Sequence, residues 1–314
     1  MKRFDGSRLV AVWPGIGQVG ITAGYYLLSK LRMHEEKPPG TTDFFDLDHL
    51  DVDRGLARIG PVPEDHLYAC QDLRIPGRLS LMIGEAQPMA HGPEYCRRIL
   101  DRVEKLGVRQ VITFTAVAAN SHPLEPSQVL GVATGLEGLE QLRRHGIDTL
   151  EEGQILGMNG QILAAAAERG ISGLCLMGVM PALATSVPFP KASHAVLSAF
   201  SRVADVPIEL GELEEYGRIV SQRLSTGLDR LQELLRGAEG EEPSEAPGSL
   251  DDSPDSQAPA DETPRIEDRR RVEELFQEAA RDPSKAFDLK RELDRLSLFQ
   301  IYENRFLDLF RPRS

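Results

Sequence analysis

The chain has 314 residues, 41% hydrophobic and 27% charged, with a formal net charge of −13. This is a globular composition with a sizeable core, and its acidity argues against a nucleic-acid partner, which calls for a basic surface. Cys70, Cys96 and Cys175 are far apart and odd in number, so they read as reduced thiols of a cytoplasmic protein, not as a disulfide frame or a zinc site.

Met1 to Gly6 lacks the apolar run of a signal peptide. Leu9 to Trp13 reads as a short buried strand. It runs into the turn Pro14-Gly-Ile-Gly-Gln-Val-Gly20, which opens a helix with Val19, Ala23, Tyr26, Leu27 and Leu31 on one face. Such a unit begins a layered α/β domain. Gly15, Gly17 and Gly20 spell G-x-G-x-x-G. A dinucleotide site here would need an acidic residue at the tip of the next strand, about 20 residues on. Glu35 and Glu36 fall too early, in a polar linker beside Pro38 and Pro39. Asp46 and Asp48 lie in a segment that does not read as a buried parallel strand. The glycines are therefore read as permitting tight strand-to-helix packing, and no cofactor is expected.

Thr41 to Leu47, Gly55 to Ile59 and Leu67 to Leu73 read as short strands of a small meander attached to the main sheet. Arg78 to Gly84 is a near-continuous apolar run, as in a central strand covered on both faces. A helix follows over Gly92 to Leu106, then a buried strand over Arg109 to Val117 and a short one over Val129 to Thr134. Helices over Leu136–His145 and Gln161–Glu168, a buried strand over Ile171–Gly178 and a helix over Lys191–Ala204 complete the alternation. Glu209 to Arg236 reads as a long amphipathic helix, packed either on its own domain or on a partner subunit. No window approaches the roughly 18 apolar residues of a membrane-spanning helix, and no membrane partner is expected.

From Gly237 to Thr263 the composition changes. This stretch, closed by Pro264, holds nine acidic residues and no basic ones, and it reads as a disordered linker. Beyond it, residues 265–314 read as three amphipathic helices. Val272, Leu275, Phe276 and Ala279 mark the first, and Leu289, Leu293 and Leu296 the second. Leu298, Ile301, Tyr302, Phe306, Leu309 and Phe310 form the apolar face of the third, capped by Ser297. Those six are candidate partner-binding residues. The helices dock back on the domain or on another protein, and the tether permits both.

In open α/β sheets ligands sit beyond the carboxyl ends of the strands. Candidate crevice residues at those ends are Gly15, Gly17, Gln18, Gly20, Glu85, Gln87 and Asn120, with Glu152 and Asn159 ahead of a later helix. Glu85 and Glu152 would suit acid–base work if paired, although helix capping and loop tying are the favoured account of such residues. Ser121 beside His122 is no nucleophile–base pair without a third orienting group. There is no G-x-S-x-G elbow, no phosphate loop and no H-E-x-x-H pair. No catalytic set and no metal site are assigned.

Several segments together resemble the PAC2 family, the proteasome assembly chaperone 2-like proteins. They are Trp13-Pro-Gly-Ile-Gly-Gln-Val-Gly20, Gly84-Glu-Ala-Gln-Pro88 and Glu152-Gly-Gln-Ile-Leu-Gly-Met-Asn-Gly-Gln-Ile-Leu163. Gly173 to Gly178, Pro181 and Pro188-Phe-Pro-Lys-Ala192 follow in the family's order. The resemblance implies a three-layer α/β/α sandwich with a mainly parallel or mixed sheet, similar to purine nucleoside phosphorylases. It implies a cytoplasmic homo-oligomer, trimer or larger, and a non-enzymatic role in protein assembly. The hydrophobic-Tyr-X tail by which such chaperones engage the proteasome is not matched by Phe310-Arg-Pro-Arg-Ser314. The competing expectation is a ligand-binding protein or enzyme, ATP-grasp-like or nucleoside-related, using the crevice. The expected division is a body over 1–236, an acidic linker over 237–264 and helices over 265–314.

Overall fold

The computed structural model describes residues 6–46, 50–53, 55–59, 62–70, 72, 75, 77–239, 266–282, 285–296, 298, 299, 302, 305, 306 and 309. Strand β1 (Ser7–Val12) sits inside the main sheet because its apolar residues alternate towards two covered faces. Val10 and Val12 enter one buried cluster, and Leu9, Ala11 and Trp13 enter the other. Helix α1 (Val19–Lys30) follows β1.

The remaining strands are β2 (His34–Glu36), β3 (Leu50–Asp53), β4 (Leu56–Ile59), β5 (Asp65–Ala69), β6 (Leu79–Gly84), β7 (Val108–Ala119), β8 (Val129–Ala133), β9 (Asp148–Thr149) and β10 (Ser172–Pro181). The main sheet runs β2-β5-β6-β1-β7-β10-β8-β9. Its centre, β6-β1-β7-β10, is parallel. β2–β5, β5–β6 and β10–β8 are antiparallel, so the sheet is mixed.

The other helices are α2 (Gly92–Glu104), α3 (Leu136–Arg144), α4 (Gly157–Glu168), α5 (Pro190–Ala204), α6 (Gly211–Glu239), α7 (Ile266–Arg281) and α8 (Ala286–Arg295). α2 and α4 cover one face through Tyr95, Ile99, Leu100, Met158 and Ile162. α1 and α5 cover the other, with α6, α7 and α8 joining the same cluster outside them. The architecture is the expected α/β/α sandwich.

Four local expectations change. Thr41 to Leu47 is no strand: Thr42–Phe44 forms a short 3₁₀ turn, and Leu47 lies outside the described residues. Phe44 and Phe45 both meet the ring of Tyr95 edge-on, at 5.7 and 6.0 Å, whereas a strand would send neighbours to opposite faces. Glu35 and Glu36, expected in a linker, lie in edge strand β2 against β5. β3 and β4 form a separate two-stranded sheet. α1 was expected to bury one face, yet Val19 to Ser29 are buried all round.

α6 continues through Gly237 to Glu239, and residues 240–264 of the expected linker lie outside the described residues. The terminal segment covers α1. Tyr26 meets Phe287 of α8 at 4.5 Å, and Tyr25 meets Phe299 and Phe306 at 5.1 and 5.4 Å. Lys290 is fully buried there, 2.7 Å from Asp294 and 4.4 Å from the centre of the Phe299 ring.

Candidate functional site

The glycine-rich turn is spent on packing. Gly17 has φ +58, a left-handed conformation that favours glycine. Its N–H donates to the carbonyl of Thr185 at 2.9 Å, and its own carbonyl accepts from Phe189 at 2.9 Å. A Cβ at Gly17 would strike the thioether of Met180, and one at Gly20 would strike the backbone oxygen of Phe114 on β7. The turn thus seats α1 directly on the sheet. Gly15, by contrast, is exposed with open space around it, and Gln18 is half-buried at φ +48.

Gln87 joins the exits of two strands to the start of a helix. Its Nε2 donates to the carbonyl of Pro14 at 2.8 Å, and its Oε1 accepts from the N–H of Met158 at 3.1 Å. Gly15, Gln87 and Asn159 are therefore neighbours across three elements. Asn159 is buried, and its Oδ1 has no hydrogen-bond partner among the described residues. Glu85 faces elsewhere. It accepts from the N–H of Glu64 at 2.9 Å and contacts His66 Nε2 at 3.1 Å. Burial disfavours the charged imidazole of His66, but the hydrogen bond to Glu85 and the charges of Glu85, Glu35 and Glu64 outweigh it, so its pKa is raised. Asn120 and Glu152 are exposed. No contact between Glu85 and Glu152 is present among the described residues.

A buried polar chain beside this crevice escaped sequence reasoning. Trp13 Nε1 donates to Tyr95 Oη at 2.8 Å, Tyr95 Oη donates to Asp65 Oδ1 at 2.7 Å, and Thr41 Oγ1 donates to Asp65 Oδ2 at 2.5 Å. Asp65 is 3% exposed. Burial raises its pKa to about 6, against the pull of Thr41, Tyr95 and His66. The only trace in the sequence is Asp65 opening a strand, because the other members, Trp13, Thr41 and Tyr95, come from three distant segments. The network fixes the strap over Thr41–Phe45 onto α2. Burial also raises the Cys96 thiol to about 12 and the Cys175 thiol to about 11, which keeps both protonated and unreactive at neutral pH.

While Gln87 and Glu85 are engaged, the loop rim also carries exposed apolar side chains. Ile16 follows β1, Met89 follows β6, Leu156 precedes α4 and Leu183 follows β10, and all four are exposed, Met89 completely. The β3–β4 hairpin adds Leu50, Val52, Leu56 and Ile59, exposed by 55 to 75%. Leu50 pairs directly with Ile59 across the hairpin, so the two share a face.

Of the six C-terminal candidates, Leu298, Tyr302 and Leu309 pack against the main cluster and Phe306 is part of it. Ile301 and Phe310 lie outside the described residues. Among the described residues no cluster of His, Cys, Asp and Glu could hold a metal ion, and no helix is long and apolar enough to cross a membrane.

The chain is 26% identical over 256 residues to an uncharacterised protein of Methanocaldococcus jannaschii, covering 78% of this chain and 92% of that one. Among solved structures it is similar to a PAC2 family protein of Streptomyces avermitilis, with TM-score 0.60, 23% identity and coverage of 72% and 95% of the two chains. It is similar to a Mycobacterium tuberculosis proteasome-assembly chaperone homologue, with TM-score 0.61, 20% identity and coverage of 70% and 94%. It is also similar to PbaB, an archaeal proteasome activator of Pyrococcus furiosus, with TM-score 0.56, 21% identity and coverage of 76% and 96%. The PAC2 family profile matches residues 9–226, most of the chain, and the chain belongs to the PAC2 family.

Proposed function

We propose that this protein works through protein–protein contact, as an oligomeric scaffold or assembly factor in the cytoplasm, and not as an enzyme. One observation carries the reading: at the loops where an α/β sheet would hold a ligand, Gln87 and Glu85 tie elements together while apolar side chains face solvent. Gln87 is consumed by Pro14 and Met158, and Glu85 by His66 and Glu64, while Ile16, Met89, Leu156 and Leu183 are exposed. An apolar rim of this kind marks protein interfaces. Relatives described as a proteasome activator and a proteasome-assembly chaperone homologue support the same direction. In this reading residues 1–236 are the assembling body, 237–264 a tether, and 265–314 a helical cover.

The test is the solution mass by light scattering, with and without purified 20S proteasome α subunits, for the parent chain and M89S/L156S/L183S. The expected result is an oligomer or a complex that the triple variant weakens. A parent chain that is monomeric and binds no α subunit would overturn the reading. A small ligand in the crevice keeps one supporting observation, the unpartnered Oδ1 of buried Asn159. Saturable thermal stabilisation by a nucleotide or nucleoside, lost in N159A, would favour that second reading.

A further inference from the structure

Beyond the exits of β7 and β10, α5, α6 and the loop 122–129 line a cavity of about 690 Å³, a volume in the range of small-molecule sites. One wall is apolar, with Leu124, Val129 and Ile147. The other carries Lys191, the last polar residue of the Pro188-Phe-Pro-Lys segment, for which the rim and the crevice have no use.

The Lys191 ammonium donates to the carbonyls of Pro123 and Glu125, at 2.6 and 3.1 Å. An ammonium has three donors, so one is left over. No carboxylate pairs with it among the described residues, and burial lowers its pKa with no charge to oppose the effect. A buried cation is ordinarily paired, and Lys191 is half-buried. Arg218, on the same wall, is already held by both oxygens of Glu215 at 2.6 and 2.7 Å and by Gln222 at 3.0 Å.

Ser221 lies one turn along α6 from Gly217, whose Cβ position would fall against the backbone of Lys191. Ser221 lines the cavity, is 1% exposed, and its Oγ has no hydrogen-bond partner among the described residues. His194 follows Lys191 by one turn and lines the same space. Burial lowers its pKa despite the nearby charge of Glu214. The arrangement supplies a spare ammonium donor and an unused hydroxyl, facing an apolar wall.

We propose that this cavity binds a small organic anion, its carboxylate or phosphate group held by Lys191 and Ser221 and its apolar body against Leu124 and Val129. The anion would take the place of the carboxylate that Lys191 lacks. Glu214, whose charge acts on His194, also lines the cavity and limits the negative charge the site tolerates, which favours a singly charged group.

The experiment titrates the full chain with inorganic phosphate, acetate and butyrate, with sodium chloride at equal ionic strength as reference. It reads thermal stability and the His194 ring resonances by NMR. Expected is saturable stabilisation by at least one probe beyond the chloride reference, with the His194 pKa moving up as the anion binds. Butyrate binding more tightly than acetate would place the apolar wall in the site, and preference for phosphate would name the other anion class. K191M should weaken the dissociation constant at least tenfold and S221A severalfold, while K191R, which keeps charge and donors, should retain binding. Circular dichroism of each variant separates lost binding from lost fold. The proposal is overturned if no probe exceeds the chloride reference, or if folded K191M and S221A bind as the parent chain does.

Discussion

At the scale of single residues, Asp65 and the turn glycines make opposed demands on their surroundings. Asp65 is a carboxylate with two hydroxyl donors in an otherwise apolar place, and burial holds its pKa at about 6 against an ordinary 3.8. The folded protein therefore binds a proton more tightly than the unfolded chain does. The associated stability is fully present below about pH 4 and is lost as pH rises through about 6. The span corresponds to about 3 kcal/mol. Urea denaturation of the parent chain and D65N should show it: from pH 4 to pH 7 the parent should lose about that much relative to the variant. A difference independent of pH would show that Asp65 does not titrate in this range. Gly20 and Gly15 share one motif, yet only the first is closely packed. G20A forces α1 off the carbonyl of Phe114 and should cost about 1–3 kcal/mol, whereas G15A, in extended backbone with open space, should stay within about 0.5 kcal/mol. Equal costs in thermal denaturation would contradict the packing role of the turn.

At the scale of elements, the runs that the sequence made legible are those whose burial repeats with a simple period. Arg78–Gly84 and Ile171–Gly178 read as central strands because both of their faces are covered, and α2 and α5 read as helices because one face is apolar. The strap over Thr41–Phe45 was misread because Phe44 and Phe45 serve one ring, Tyr95, a demand that belongs to tertiary structure and leaves no period. The chemistry of the candidate crevice was not legible in the sequence, since Gln87 is consumed by partners 73 and 71 residues away. α8 was read from its leucines, and its most consequential residue was missed. Lys290 occupies an apolar site only because Asp294 and the Phe299 ring compensate its charge. Removing one partner leaves the other charge buried and alone, so D294A should lose about 3–5 kcal/mol. K290M/D294A should recover a large part of it, because no charge remains to be stranded. A double variant no more stable than D294A in chemical denaturation would mean that the pair acts through shape alone.

At the scale of the whole molecule, the family match ends at residue 226, while the terminal helices begin at Ile266 and lie on α1. In the related structures 94 to 96% of the chain is matched by 70 to 76% of this one, so this chain carries material that they largely lack. In this chain the terminal helices share in burying α1 all round, placing Phe287, Phe299 and Phe306 over Tyr25 and Tyr26. Aromatic side chains of this size each bury about 150–250 Å², so their removal would bare a contiguous patch beyond what a monomer ordinarily exposes. A chain ending at Glu239 should therefore melt at lower temperature and self-associate further than the full chain, read by light scattering as a rise in the number of subunits per particle. F287A should act in the same direction through a cavity, costing about 3–5 kcal/mol without uncovering the whole face. If the truncated chain keeps both the mass state and the melting temperature of the full one, the terminal helices contribute nothing to the body and their apolar stripes serve a partner instead. If it unfolds at ambient temperature while F287A remains folded, the cover is a structural part of the body.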